Sequence, residues 1–183
     1  VYNLISKHLD QGFPGNLSVF CEYKLKKNQL ILSYYFKSDK FTHVNLTNHS
    51  YWNFNWRKNI KIFNHDLKIN SNYYLPVNKK NIPVGYKKKV FNTKYDFRKF
   101  SNLGIKTFNG KKTFDINYIT GSIKKHFVAC LINNISKIKM KIHSNQPGLQ
   151  LYTGHKLNFK SKQKKLTSFQ GLCLETQHFP NSP

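Results

Sequence analysis

Apolar and polar residues alternate along this chain in short runs, and turn markers cut each run off before a helix could form. Leu17-Ser-Val-Phe-Cys-Glu-Tyr-Lys-Leu25 and Gln29-Leu-Ile-Leu-Ser-Tyr-Tyr-Phe36 flank Lys26-Lys27-Asn28, which predicts a hairpin. Further strands are predicted over residues 42–46, 59–63, 66–69, 126–131, 138–143 and 149–153. Between them stand Gly12-Phe-Pro-Gly15, Leu75-Pro76, Ile82-Pro-Val-Gly85, Asn109-Gly110 and Gln146-Pro-Gly148. No segment of helical length combines a 3.6-residue period with caps. Many short strands at regular spacing define an all-β chain, expected to form a large antiparallel sandwich or a barrel. No repeat and no linker interrupts it, so residues 1–183 are expected to form a single domain. The lysine-rich stretch from Lys156 to Lys165 reads as a solvated loop.

The chain is long enough to bury a substantial core. Its apolar share is modest at 39%, but aromatics reach 15%. Large rings such as Phe13, Tyr34, Phe36, Trp52, Phe127 and Tyr152 are therefore expected to carry burial. No apolar run is long enough for a transmembrane helix. Cys21, Cys130 and Cys173 are far apart and show no paired spacing. That favours reduced thiols in a cytoplasmic protein over disulfides or a zinc site. The histidines also lack ligand spacing, so no metal is expected.

A net charge of +24 invites a nucleic-acid reading. Arginine, the usual base-reading side chain, occurs only as Arg57 and Arg98, and the lysines are dispersed. Asn, Ile, Phe and Tyr are also abundant, while Ala129 is the sole alanine. The favoured residues have A/T-rich codons, so drift in base composition accounts for the lysines more simply than selection for binding. Neither nucleic acid nor membrane is expected as a partner.

With 7 acidic side chains against 31 basic ones, each carboxylate stands out. Glu175 sits among Leu172, Cys173 and Leu174, where burial would raise its pKa and poise it for proton transfer. In an extended strand it faces away from Leu174, so it can line a cleft while leucines fill the core. His49 lies in Asn45-Leu-Thr-Asn-His-Ser-Tyr51, among amides and hydroxyls able to fix its ring. Asp115 and Asn117 share one face of the alternating segment Thr113-Phe-Asp-Ile-Asn117. Asp96 and Arg98 read as a structural ion pair or turn, and Gly12–Gly15 as a tight loop.

Six segments in series carry a resemblance. Gly12-Phe-Pro-Gly-Asn-Leu17, Val44-Asn-Leu-Thr-Asn-His-Ser-Tyr51, Tyr74-Leu-Pro-Val77, Asp96-Phe-Arg98, Leu151-Tyr-Thr-Gly154 and Leu174-Glu-Thr-Gln-His-Phe-Pro-Asn-Ser-Pro183 look like the aldose 1-epimerase (galactose mutarotase) family. The resemblance implies a mutarotase-like antiparallel β-sandwich with its site in a cleft on one sheet. It also implies that Glu175 is the general base and His49 the acid, with Asp115 and Gln150 contacting the sugar. At Asp115 the sequence departs from the family's Tyr-Asp-His setting, since Ile116 comes next. The implied reaction is anomer interconversion of aldohexoses such as galactose and glucose, without a cofactor, by a monomer or homodimer. An N-terminal portion of the family, with its further sugar-binding histidine and arginine, and the extreme C-terminal strands have no counterpart here. The expectation is a fragment. The alternatives are a catalytically inactive carbohydrate-binding remnant and, further off, a basic nucleic-acid-binding β protein.

Overall fold

The computed structural model describes residues 1–55, 60–121, 123–162 and 165–182. The strands are β1 (Tyr2–Ser6), β2 (Leu17–Lys26), β3 (Gln29–Ser38), β4 (His65–Ile69), β5 (Tyr73–Leu75), β6 (Lys88–Lys89), β7 (Ser101–Asn102) and β8 (Asp115–Ile119). They continue with β9 (His126–Asn133), β10 (Ile138–Ser144), β11 (Gly148–Tyr152), β12 (Phe159–Lys160), β13 (Lys165–Leu166) and β14 (Cys173–Gln177). Among the described residues one short α-helix, α1 (Leu103–Thr107), stands out; the Asn102 side chain caps it by accepting from the Ile105 amide at 3.2 Å. The architecture is antiparallel and nearly all β, as the alternation predicts.

Packing divides the chain into two compact units, Val1–Leu46 and Thr47–Ser182. The first holds a meander in the order β1-β2-β3. Its hairpin is the predicted one, with Lys26 opposite Gln29 and Lys27 in the left-handed region at φ 52°. Phe13 and Phe36 were expected to be buried but are 51% and 56% exposed. A three-stranded sheet with no second layer of its own offers little to bury such rings against. Residues 42–46 keep the predicted alternation of burial, yet they join no described ladder.

The second unit packs two sheets around one core. One runs β10-β9-β4-β7 and the other β14-β11-β8-β5-β6. Leu67, Ile69, Val128, Ala129 and Leu131 from the first meet Ile116, Tyr118, Leu149, Leu151 and Leu174 from the second. Phe97 and Phe114 complete it, with ring centroids 5.3 Å apart edge to face. The core rings are thus not the ones composition singled out: Trp52, Phe127 and Tyr152 are only half-buried. Of the predicted strand over residues 59–63, Asn59 lies outside the described residues, and Ile62–Asn64 forms a 3-10 turn. Asp96 and Arg98 form the expected ion pair, at 2.7 Å. Part of the lysine-rich loop closes as the two-residue ladder β12–β13.

Candidate active site

Register on the second sheet sorts side chains into two sets. Leu174, Leu151 and Ile116 stand opposite one another across β14, β11 and β8, and all three face the core. Glu175, Gln150 and Asn117 form the next cross-strand row, and Cys173, Tyr152 and Asp115 the row on its other side. Because side chains alternate with period two, both of these rows emerge on the face away from the leucines.

β14 is the outer strand of this sheet, and residues 47–52 run along it. The Thr47 hydroxyl donates to the Thr176 carbonyl at 3.1 Å, and Trp52 exchanges backbone hydrogen bonds with Leu172 at 2.7 and 3.0 Å. Pinned at both ends, this strap holds His49 over β14. The His49 Nε2 lies 3.5 Å from the Glu175 Oε1, while its Nδ1 lies 3.4 Å from the Cys173 Sγ. The His49 side chain is 54% exposed and that of Glu175 only 7%. The pair therefore has a buried carboxylate below and an imidazole open to solvent above.

Burial drives the Glu175 pKa above the ordinary carboxylate value; His49 partly offsets this, and Asp115 adds to it. The Cys173 thiol is pushed far up by burial and by the Glu175 and Asp115 charges, so it stays protonated. A neutral thiol beside Nδ1 can accept from a protonated ring, leaving Nε2–H directed at the carboxylate side.

The neighbouring row supplies polar groups. Gln150 donates its amide to the Asp115 carboxylate at 2.7 Å, which fixes the amide and aims its oxygen elsewhere. That Gln150 oxygen is buried with no partner in the protein, and so are both polar atoms of the Asn117 side chain. An unpaired buried polar group costs about 1–3 kcal/mol, so a ligand hydroxyl or ordered water is the natural occupant. Tyr51 and Tyr152 flank His49 with ring centroids 5.1 and 6.4 Å from it, and His155 lies 5.1 Å beyond Tyr152. Burial raises the Tyr51 pKa and lowers that of His155.

All four predicted residues, Glu175, His49, Asp115 and Gln150, are thus gathered on one sheet face. Sequence reasoning missed Cys173, Tyr51, Tyr152 and His155, and it singled out Asn117 only as a neighbour of Asp115. Each of Cys173, Tyr51, Tyr152 and Asn117 lies two positions from a predicted residue, so period-two alternation was the signal that could have found them. His178 lies just past the end of β14 and is exposed. Two hollows, of about 410 Å³ beside Phe63, Ile105 and Phe108 and about 300 Å³ beside Tyr73, Lys89 and Phe91, are lined by none of these residues. Neither hollow brings together an acid and a base.

Three residues of this face, His49, Cys173 and Glu175, also offer one metal-ligand atom each within 4.8 Å of one another. The spacing of histidines and cysteines along the sequence predicted no such set.

The second unit is thus an antiparallel sandwich that gathers an imidazole, a buried carboxylate and two amides on one sheet face. Residues 1–183 match the aldose 1-epimerase family throughout, and the chain belongs to that family. It is 36% identical to galactose mutarotase from Homo sapiens, over 99% of this chain and 54% of that protein. It is 33% identical to aldose 1-epimerase from Haemophilus influenzae, over 100% of this chain and 56% of that protein. The structure of galactose 1-epimerase from Lactobacillus acidophilus NCFM superposes with a TM-score of 0.83 at 27% identity, over 97% of this chain and 53% of that one. The chain spans about half the length of the relatives it matches.

Proposed function

We propose that this chain carries the proton-transfer centre of an aldose 1-epimerase, which interconverts the α and β anomers of aldohexoses such as galactose and glucose. The observation that carries this reading is the His49–Glu175 pair, 3.5 Å apart on an otherwise polar sheet face. Glu175, whose affinity for a proton is raised by burial, takes the proton from the C1 hydroxyl. His49, as imidazolium, gives its Nε2 proton to the ring oxygen. The bond between C1 and the ring oxygen breaks, C1 becomes the aldehyde carbon, and rotation about C1–C2 exposes its other face. Closure returns both protons by the reverse path. The hydroxyl and ring oxygens share one carbon, so the groups serving them must be neighbours too, as His49 and Glu175 are. Each positioned acid or base contributes about 10²–10⁴-fold.

Gln150 and Asp115 serve as hydroxyl contacts: the Gln150 oxygen accepts from the sugar, and the Asp115 carboxylate holds Gln150 in place. No cofactor takes part in these steps. The three cysteines are free, which suits a reducing, cytoplasmic setting. No helix among the described residues is long and apolar enough to cross a membrane. As a second reading, the chain binds sugar without turning it over. The orphaned amide atoms of Gln150 and Asn117 favour this, since they call for a hydroxyl ligand whatever the pair above them does.

Polarimetry of freshly dissolved α-galactose and α-glucose separates the two. Acceleration by the chain, lost by at least about a hundredfold in Glu175→Gln while sugar binding persists, supports the epimerase. Binding without acceleration supports the second reading, and acceleration unchanged in Glu175→Gln removes Glu175 from the role of base.

A further inference from the structure

The geometry points to a binding site for a thiophilic divalent cation, zinc(II) or an ion like it, formed by His49, Cys173 and Glu175. Cys173 and Glu175 project from the same face of β14, about 6–7 Å apart along the strand. The His49 ring lies between them, one nitrogen 3.4 Å from the Cys173 sulfur and the other 3.5 Å from the Glu175 Oε1. One donor atom from each of the three side chains lies within 4.8 Å of the other two. A tetrahedral zinc with Zn–S about 2.3 Å and Zn–N and Zn–O about 2.0 Å holds its donors about 3.3–3.6 Å apart. The three donors therefore lie within about 1.5 Å of that spacing, a gap that rotation of the exposed imidazole and adjustment of the two strand side chains would close.

The donors also select the ion. Magnesium and calcium need several oxygen ligands, and this site has one carboxylate. A sulfur, an imidazole nitrogen and a single carboxylate oxygen suit zinc instead. On binding, the Cys173 thiol loses its proton to solvent and the sulfur bonds to the ion. Imidazole and carboxylate bind through lone pairs, and the solvent side of His49 leaves the fourth position open to water. Two of the 7 acidic side chains, Asp115 and Glu175, share this face in a chain of net charge +24, so it is a rare attractive spot for a cation. Such an ion would hold the lone pairs of both the acid and the base. Zinc should then exclude the sugar and act as an inhibitor, a consequence that rests on the acid/base reading of the same pair.

The test uses the 183-residue chain kept reduced by a phosphine. Cobalt(II) is added first and then displaced by zinc(II). We expect one cobalt per chain, with a thiolate-to-cobalt charge-transfer band that zinc abolishes. The band should vanish in Cys173→Ser. Affinity should fall at least about tenfold in His49→Gln, because losing a ligand costs no less than the 10–100-fold typical of changes around one. His49 is exposed, so that variant leaves the core intact and tests the site even if Cys173→Ser fails to fold. A band that is absent, or that keeps its strength in a folded Cys173→Ser or in His49→Gln, overturns the site. Saturating galactose should weaken zinc binding, and zinc should slow polarimetric equilibration. If the metal binds as described but the chain never accelerates mutarotation, the site stands and the epimerase reading falls.

Discussion

Glu175 is 6% exposed, and that burial disfavours its charge more than His49 restores it, so its folded pKa is raised. For an acid with a raised folded pKa, stability is whole below the unfolded value and declines as pH rises through the folded one. Glu175→Gln removes that decline. The variant should be more stable than the parent at neutral pH, with the gap closing as pH falls to the unfolded carboxylate value. Thermal unfolding against pH reads this, and a variant less stable at pH 7 would show that the ion pair outweighs burial. In the epimerase reading the same raised pKa puts the acid limb of the rate profile above the ordinary carboxylate range. Glu175 and His49 were legible in the sequence because each sits in a distinctive local motif. Cys173 was not, because its closeness to His49 spans 124 residues and depends on which face of a strand it occupies.

At the scale of the element, β2, β3, β4, β9, β10 and β11 match their alternating runs to within a few residues. The failures have local causes. Residues 42–46 alternate but find no ladder partner, and Ile62–Asn64 closes as a 3-10 turn, with the Ile62 amide donating to the Phe169 carbonyl at 2.8 Å. The three-residue strand β5 and the two-residue β6 and β7 are too short to leave a pattern; β8 pairs with β11 and β5 to complete the site face. Beyond β11 the backbone turns at Gly154, at φ 63°, where the Gly171 carbonyl occupies the space a side chain would need. A Cβ there would collide with backbone, not with a side chain free to move. Gly154→Ala should therefore destabilise by about 2–4 kcal/mol, measured by denaturant unfolding. A loss under about 0.5 kcal/mol would mean that β11 and the segment before β14 can part without cost. Such a variant should also lower any sugar-dependent activity, because β11 carries Gln150 and β14 carries Glu175.

For the whole molecule, the +24 charge is the feature that bears on the nucleic-acid alternative. Lysines take part in scattered ring contacts, such as Lys87 over Tyr73 at 4.7 Å and Lys94 over Tyr95 at 4.9 Å. Duplex DNA should bind this chain weakly and without sequence preference, with affinity falling about a hundredfold or more between about 50 and 200 mM salt. Sequence-selective binding that survives the higher salt would support the nucleic-acid reading. Taken alone, the sequence determined that the chain is all β, that leucines and Glu175 part to opposite faces, and which family it belongs to. Those properties live in period-two alternation and in contiguous motifs, both of them local. Tertiary structure decided which strands pair, which aromatic rings form the core, and that residues 47–52 lie along β14 so that imidazole, thiol and carboxylate meet. Such meetings depend on strand order and register, which no short window of residues encodes.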